Sequence, residues 1–199
     1  MTAPTPGGKG FTFYRMPWAS PTVEAITQGN ETTFSHKDND AYAFDFVMEA
    51  DEPIHAMRGG EVVYVEESLT ETSDPYKVEA GEEPWKPANS LAILHQDGTI
   101  GWYGHMPQNG VVPEVGDLVR RGERVGRIGN TGNSTGPHLH FQSNGKNTYG
   151  KSTPILIEHR TPGSTKVHHC VRPAQGAYET TNRRPGLDAD WLWRYRPGS

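Results

Sequence analysis

A chain of 199 residues is long enough for one sizeable core with appended loops. Its net charge of −5 argues against nucleic acid as the main partner, and its single cysteine, Cys170, excludes an internal disulfide. Glycine (23) and proline (16) are frequent, which predicts many turns and few long helices. No apolar run approaches the roughly 18 residues of a membrane span.

Residues 1–26 read as an N-terminal extension. Residues 1–11 have neither a charged n-region nor an apolar h-region, so no signal peptide is expected there, and residues 1–10 read as disordered. Phe11 to Trp18 alternates weakly and predicts an edge strand, limited by Pro17 and Pro21. Tyr42 to Val47 predicts a strand with Ala43, Asp45 and Val47 on one face and Tyr42, Phe44 and Phe46 on the other. A carboxylate in such an apolar run is costly unless it is paired or binds a metal. Asp45 therefore needs a partner, and His36 lies upstream across the turn-like segment Lys37 to Asp40.

Pro53 to Met57 and Glu61 to Val65 predict a hairpin turning at Arg58-Gly59-Gly60, with His55 a solvated or edge histidine. Residues 66–88 break the pattern. Their acids (Glu66, Glu67, Glu71, Asp74, Glu79, Glu82, Glu83) and prolines predict a solvated surface insertion. Ser90 to His95 and Thr99 to His105 predict a second hairpin around Gln96-Asp97-Gly98. Strict alternation along its second strand puts Gly101, Tyr103 and His105 on one face, and His95 is expected on the surface beside the turn. Short strands follow at 111–115, 117–119 and 124–128. Their Gly116-Asp117 and Gly122 pattern is shared with biotinyl and lipoyl carrier domains, but no lysine lies between Lys86 and Lys146 to carry the group.

The glycine-rich loop Gly129 to Pro137 runs into His138-Leu139-His140-Phe141. On a strand, His138 and His140 share one face and Leu139 and Phe141 the other. Two imidazoles side by side with apolar anchors behind them can divide metal-ligand and catalytic roles. Gly132-Asn133-Ser134-Thr135-Gly136 also matches the nucleophile elbow of serine hydrolases. That elbow needs a helix after the serine, and here Pro137 and a strand follow. Pro154 to Glu158 reads as a last apolar strand, and 161–199 as a C-terminal extension. There His168 and His169 are adjacent and so would face opposite sides, while Trp191, Trp193 and Tyr195 would share a face and pack on the domain.

Taken together, Ser35-His36, Tyr42 to Phe46, Pro53-Ile54-His55-Ala56, Gly60 to Val63, Asn89 to His95, Tyr103-Gly104-His105 and Gly129 to Phe141 form an ordered set. Over about residues 27–143 the chain resembles the lysostaphin-type (LytM-like) zinc metallopeptidases, which cut peptide stems or cross-bridges of bacterial cell walls. The resemblance implies an all-β fold: an antiparallel sheet floor with a barrel-sandwich-like core and a loop-walled groove, filling residues 27–160. It implies zinc ligands His36, Asp45 and His140, a catalytic pair His105 and His138, and Tyr103 near the developing oxyanion. Asn89, Asn133 and Thr135 are the candidate substrate contacts. The compact first motif of the family, H-x-x-x-D, is stretched here, because His36 and Asp45 lie further apart.

Groove walls are expected from Asn30–Asn39, part of 66–88, Gln108–Val112 and Gly129–Pro137, and a narrow groove favours small residues beside the cut. There is no H-E-x-x-H, so histidines must replace the usual glutamate base. Peptidoglycan peptide is the expected substrate, and the expected location is secreted, periplasmic or in the cell wall, with a phage lysin as one possible source. The alternative is a catalytically inactive domain of the same fold that binds wall or activates another hydrolase.

Overall fold

The computed structural model describes residues 14–19, 23–29, 31, 35–71, 88–145, 150–160, 167–170 and 176–180. Apart from one turn of 3-10 helix at Asp38–Asp40, their regular structure is all strand: β1 (Tyr14–Arg15), β2 (Val23–Gln28), β3 (Phe44–Val47), β4 (Pro53–His55), β5 (Gly60–Glu66), β6 (Asn89–Leu94), β7 (Ile100–Met106), β8 (Leu118–Val119), β9 (Arg124–Arg127), β10 (Leu139–Asn144), β11 (Ile157–Arg160), β12 (Val167–Cys170) and β13 (Gly176–Thr180). The main sheet has the order β1-β11-β13-β2-β3-β10-β7-β6-β5-β8, with β12 paired to β11. Among the described residues its pairings are antiparallel except for β1 with β11. The all-β expectation holds.

Strand β10 lies near the middle of this order and pairs with β3 on one side and β7 on the other. Its alternation sends Leu139 and Phe141 into the core, where they meet Phe44, Phe46 and Tyr103. Phe141 lies 4.9 Å from the Tyr103 ring, edge to face. Each such burial contributes about 1.5–3 kcal/mol. The opposite face of β10 is thereby committed to carry His138, just before the strand, and His140.

Two local expectations need correction. The predicted hairpin at Arg58-Gly59-Gly60 does not form: β4 pairs with β9 in a small separate sheet, while β5 pairs with β6 and β8. The glycines mark a crossing between sheets. A Cβ on Gly60 would stand 2.2 Å from the Leu94 carbonyl oxygen, so only glycine allows this approach. His95 is buried, at 2% exposure. It directly follows β6, an interior strand of the sheet, and its Nδ1 donates to the Gly59 carbonyl at 2.9 Å. Gly101 makes the space, since a Cβ there would lie 2.9 Å from His95 Nε2. His55 is half-buried, and burial pushes its pKa down.

Strands on both flanks of residues 27–160 join the main sheet: β1 and the start of β2 from the N-terminal side, β12 and β13 from the C-terminal side. Residues 1–10, most of the acidic insertion (72–87) and Trp191, Trp193 and Tyr195 lie outside the described residues.

Candidate active site

The site begins with strand register. His140 on β10 stands directly opposite Asp45 on β3 and Gly104 on β7. Its Nδ1 is 3.0 Å from Asp45 Oδ1. His36 reaches the same oxygen from the loop before β3, with Nε2 at 3.2 Å. The wide spacing between His36 and Asp45 is taken up by the 3-10 turn and the bends around it, so the stretched motif still closes on one point. Donor atoms of His36, Asp45 and His140 all lie within 4.8 Å of one another.

The hydrogen bonds of each imidazole show which nitrogen is free. A carbonyl oxygen only accepts, so a ring nitrogen facing one carries the proton. His36 Nδ1 donates to Gly29 O at 2.8 Å, leaving Nε2 bare toward Asp45. His140 Nε2 donates to Gln142 Oε1 at 3.3 Å, which turns Nδ1 toward Asp45. Two ring nitrogens, each a lone-pair site when the imidazole is neutral, and a carboxylate therefore face each other. That is unfavourable unless a positive charge sits between them. With no metal bound, that charge is a proton drawn toward His140 by Asp45. Burial raises the Asp45 pKa, but contacts with His140 and His36 outweigh it and hold the carboxyl well below the usual range. Burial opposes charge on His140, yet the Asp45 carboxylate lifts its pKa overall. Separations of 3.0 and 3.2 Å also approach the edge of about 3.3 Å that a tetrahedron with bonds near 2.0 Å requires. The residues present fit a divalent metal held by nitrogen and oxygen.

Two more histidines border this point. His105 Nδ1 donates to Thr131 O at 2.7 Å, and His138 Nδ1 donates to Gly136 O at 2.9 Å. Both Nε2 atoms are thus bare, and that of His138 lies 3.7 Å from Asp45 Oδ1. The two rings stand 4.6 Å apart, and His105 is 5.9 Å from His140. Burial, with the neighbouring His138 and His140, lowers the His105 pKa to about 4. It is therefore neutral at pH 7 and able to accept a proton at Nε2. Ser134, the serine of the elbow-like motif, accompanies His138: its Oγ donates to Gly136 O at 2.9 Å and lies 3.1 Å from His138 Nδ1.

His105 reaches this position through a bulge. Ser90 pairs with Gly104 and Asn89 with Met106, so β7 carries one extra residue, and His105 has φ 66°. Parity reverses at that point. Tyr103 therefore faces the core, fully buried, with its hydroxyl oxygen accepting the Met57 N–H at 2.8 Å. It does not border the groove, which corrects the oxyanion expectation. Trp102 and Gly104 border it instead.

Asn89 is also corrected. It is fully buried and clips the start of the insertion, accepting from Leu69 N at 3.0 Å and donating to Leu69 O at 2.8 Å. Its backbone N–H donates to Thr131 Oγ1, and that hydroxyl donates to Met106 O at 2.6 Å. This network pins the loop that holds His105. Gln108–Val112 does not wall the groove: Val111 bridges to Gly126 elsewhere.

The groove over these histidines has a volume of about 1040 Å³. Asn133 and Thr135 line it, as expected, together with Gly136 and Pro137 of the same loop. The sequence reading missed Trp102, Val47, Gln142 and Asn144 as lining residues. The last two were reachable, because they continue the alternation His138, His140 along β10.

Three nitrogen and oxygen donors converging beside two proton-accepting imidazoles, on the floor of a groove, define a metal-dependent hydrolase site. The chain belongs to peptidase family M23, whose model matches residues 39–152. Asp45, His105, His138 and His140 fall within that match, and His36 lies just before it. The chain is 34% identical over 148 residues to lysostaphin from Staphylococcus simulans, an alignment covering 71% of this chain and 26% of lysostaphin. It is 34% identical over 102 residues to glycyl-glycine endopeptidase ALE-1 from Staphylococcus capitis, covering 51% of this chain and 24% of that protein. The alignments thus span about a quarter of each relative's length. Among solved structures, a point mutant of the catalytic domain of the prophage-encoded M23 protein EnpA from Enterococcus faecalis superposes with TM-score 0.51 at 22% identity, covering 70% of this chain and 92% of that one. At that identity the likeness shows the fold. No helix among the described residues is long and apolar enough to cross a membrane.

Proposed function

We propose that the chain is a zinc-dependent endopeptidase that hydrolyses peptide bonds in the stems or cross-bridges of bacterial peptidoglycan, acting at the cell wall. The observation that carries this reading is the convergence of three possible ligand atoms, His36 Nε2, Asp45 Oδ1 and His140 Nδ1, beside His105 and His138, whose Nδ1 atoms are turned to backbone carbonyls. His36, Asp45 and His140 would hold the zinc, which when bound lowers the pKa of water to about 7 and polarises a carbonyl.

The chain's own residues do the rest. His105 Nε2, neutral through burial, takes the proton of the attacking water, and the proton is passed to the leaving amine through the His105 and His138 pair. Such positioned acid–base transfer contributes about 10²–10⁴-fold. The bonds to Thr131 O and Gly136 O keep both rings turned with Nε2 toward the reacting atoms. Asn133 and Thr135 contact the substrate backbone from the loop wall. The catalytic unit is residues 27–160, to whose sheet the flanking strands add.

The test is loss of turbidity of purified peptidoglycan with the full chain. Lysis that a chelator abolishes and zinc restores supports the reading. Chelator-insensitive lysis, or none with zinc bound, overturns the mechanism or the substrate respectively. The narrow-groove expectation is tested separately: a glycine-rich fluorogenic peptide should be cut faster than one with bulky residues on both sides of the bond.

A further inference from the structure

Of the four histidines around the site, three have the proton-bearing nitrogen fixed by a backbone carbonyl: His36 by Gly29 O, His105 by Thr131 O and His138 by Gly136 O. His140 differs. Its Nε2 faces a side chain, Gln142 Oε1, at 3.3 Å. An amide can present either oxygen or nitrogen, so this partner fixes the His140 tautomer only if the amide is itself held in one orientation. Asn144 holds it. Gln142 Nε2 donates to Asn144 Oδ1 at 2.8 Å, which leaves Gln142 Oε1 for His140. Both amides are buried, at 5% and 1% exposure. All three side chains lie on one face of β10, where the period of two places them in a row.

We propose that Gln142, paired with Asn144, is a positioning residue that makes His140 present Nδ1 to the metal. This inference rests on the metal-dependent reading above. A reversed Gln142 amide would face His140 with an N–H donor and favour a proton on Nδ1, which blocks the ligand atom. Outer partners of this kind fix ring orientation and tautomer, and their loss lowers metal affinity about 10–100-fold.

Packing and positioning predict opposite orders for two variants of the full chain. Gln142→Met keeps the volume and loses the acceptor. Gln142→Glu keeps an acceptor for His140 Nε2, and the Asn144 amide can turn to donate to it. The measurement is the zinc dissociation constant by chelator competition, with cobalt(II) absorption as a second probe and apo melting curves to monitor folding. The expected result is affinity about 10–100-fold weaker in Gln142→Met and close to wild type in Gln142→Glu. Wild-type affinity in Gln142→Met overturns the proposal, as does a glutamate variant weakened more than the methionine one, since a buried charge is what a pure packing role tolerates least. If the wild-type chain itself binds no zinc, the metal-dependent reading fails first and this inference falls with it.

Discussion

His105 has φ 66°, a left-handed conformation uncommon outside glycine, asparagine and aspartate. Holding it costs about 1–3 kcal/mol, offset by its surroundings. The offset is visible: Thr131 accepts from its ring through the backbone and is itself pinned to Met106 and Asn89. The bulge at this residue turns the imidazole toward His138 and His140 while nearby Tyr103 stays in the core. Tyr103→Phe tests that division at the level of one atom. Loss of the hydroxyl leaves the Met57 N–H buried without its acceptor, so denaturant titration should show a loss of about 1–3 kcal/mol. Catalytic rate per folded molecule should stay within about two-fold, far from the 10²-fold expected of an oxyanion donor.

At the level of the strands, legibility followed periodicity. His138 and His140 could be read directly, because Leu139 and Phe141 fix β10's inward face. Asp45 was legible as an acid in an otherwise apolar strand. The same rule misplaced Tyr103 because it assumes unbroken alternation, and the extra residue in β7 reverses parity between positions 103 and 105. Asn89 was misread for a different reason: a polar residue at a strand start has the same appearance whether it meets substrate or clips a loop. The β4 error shows that turn residues mark a change of direction without naming the next partner. Gly60 allows a test. With a Cβ 2.2 Å from Leu94 O, a backbone atom, Gly60→Ala must push β5 from β6. A destabilisation of about 1–3 kcal/mol is expected by denaturant titration, with zinc content unchanged once folded.

For the molecule as a whole, burial of neutral histidines sets the acid limit. Burial, aided by Arg58, pushes the His95 pKa down to about 3. Its unfolded value is about 6.5. Below that value the unfolded chain takes up a proton that the folded chain refuses, so stability falls as pH drops from about 6.5 toward about 3. Between pH 7 and pH 5 this one group accounts for a loss of roughly 2 kcal/mol. His95→Asn can still donate toward Gly59. It should lower stability at pH 7 yet flatten the pH dependence by that amount, read from urea midpoints at the two pH values. An unchanged pH dependence would show that His95 is protonated in the folded chain or accessible to solvent.

The proposed division of the five side chains into ligands and proton carriers can be read from zinc stoichiometry alongside peptidoglycan cleavage for the wild type, His140→Ala and His105→Ala. The expected result is about one zinc per chain in the wild type and in His105→Ala, none in His140→Ala, and a cleavage rate at least about 10²-fold lower in both variants. Zinc retained at full occupancy in His140→Ala, or cleavage undiminished in His105→Ala, would contradict it.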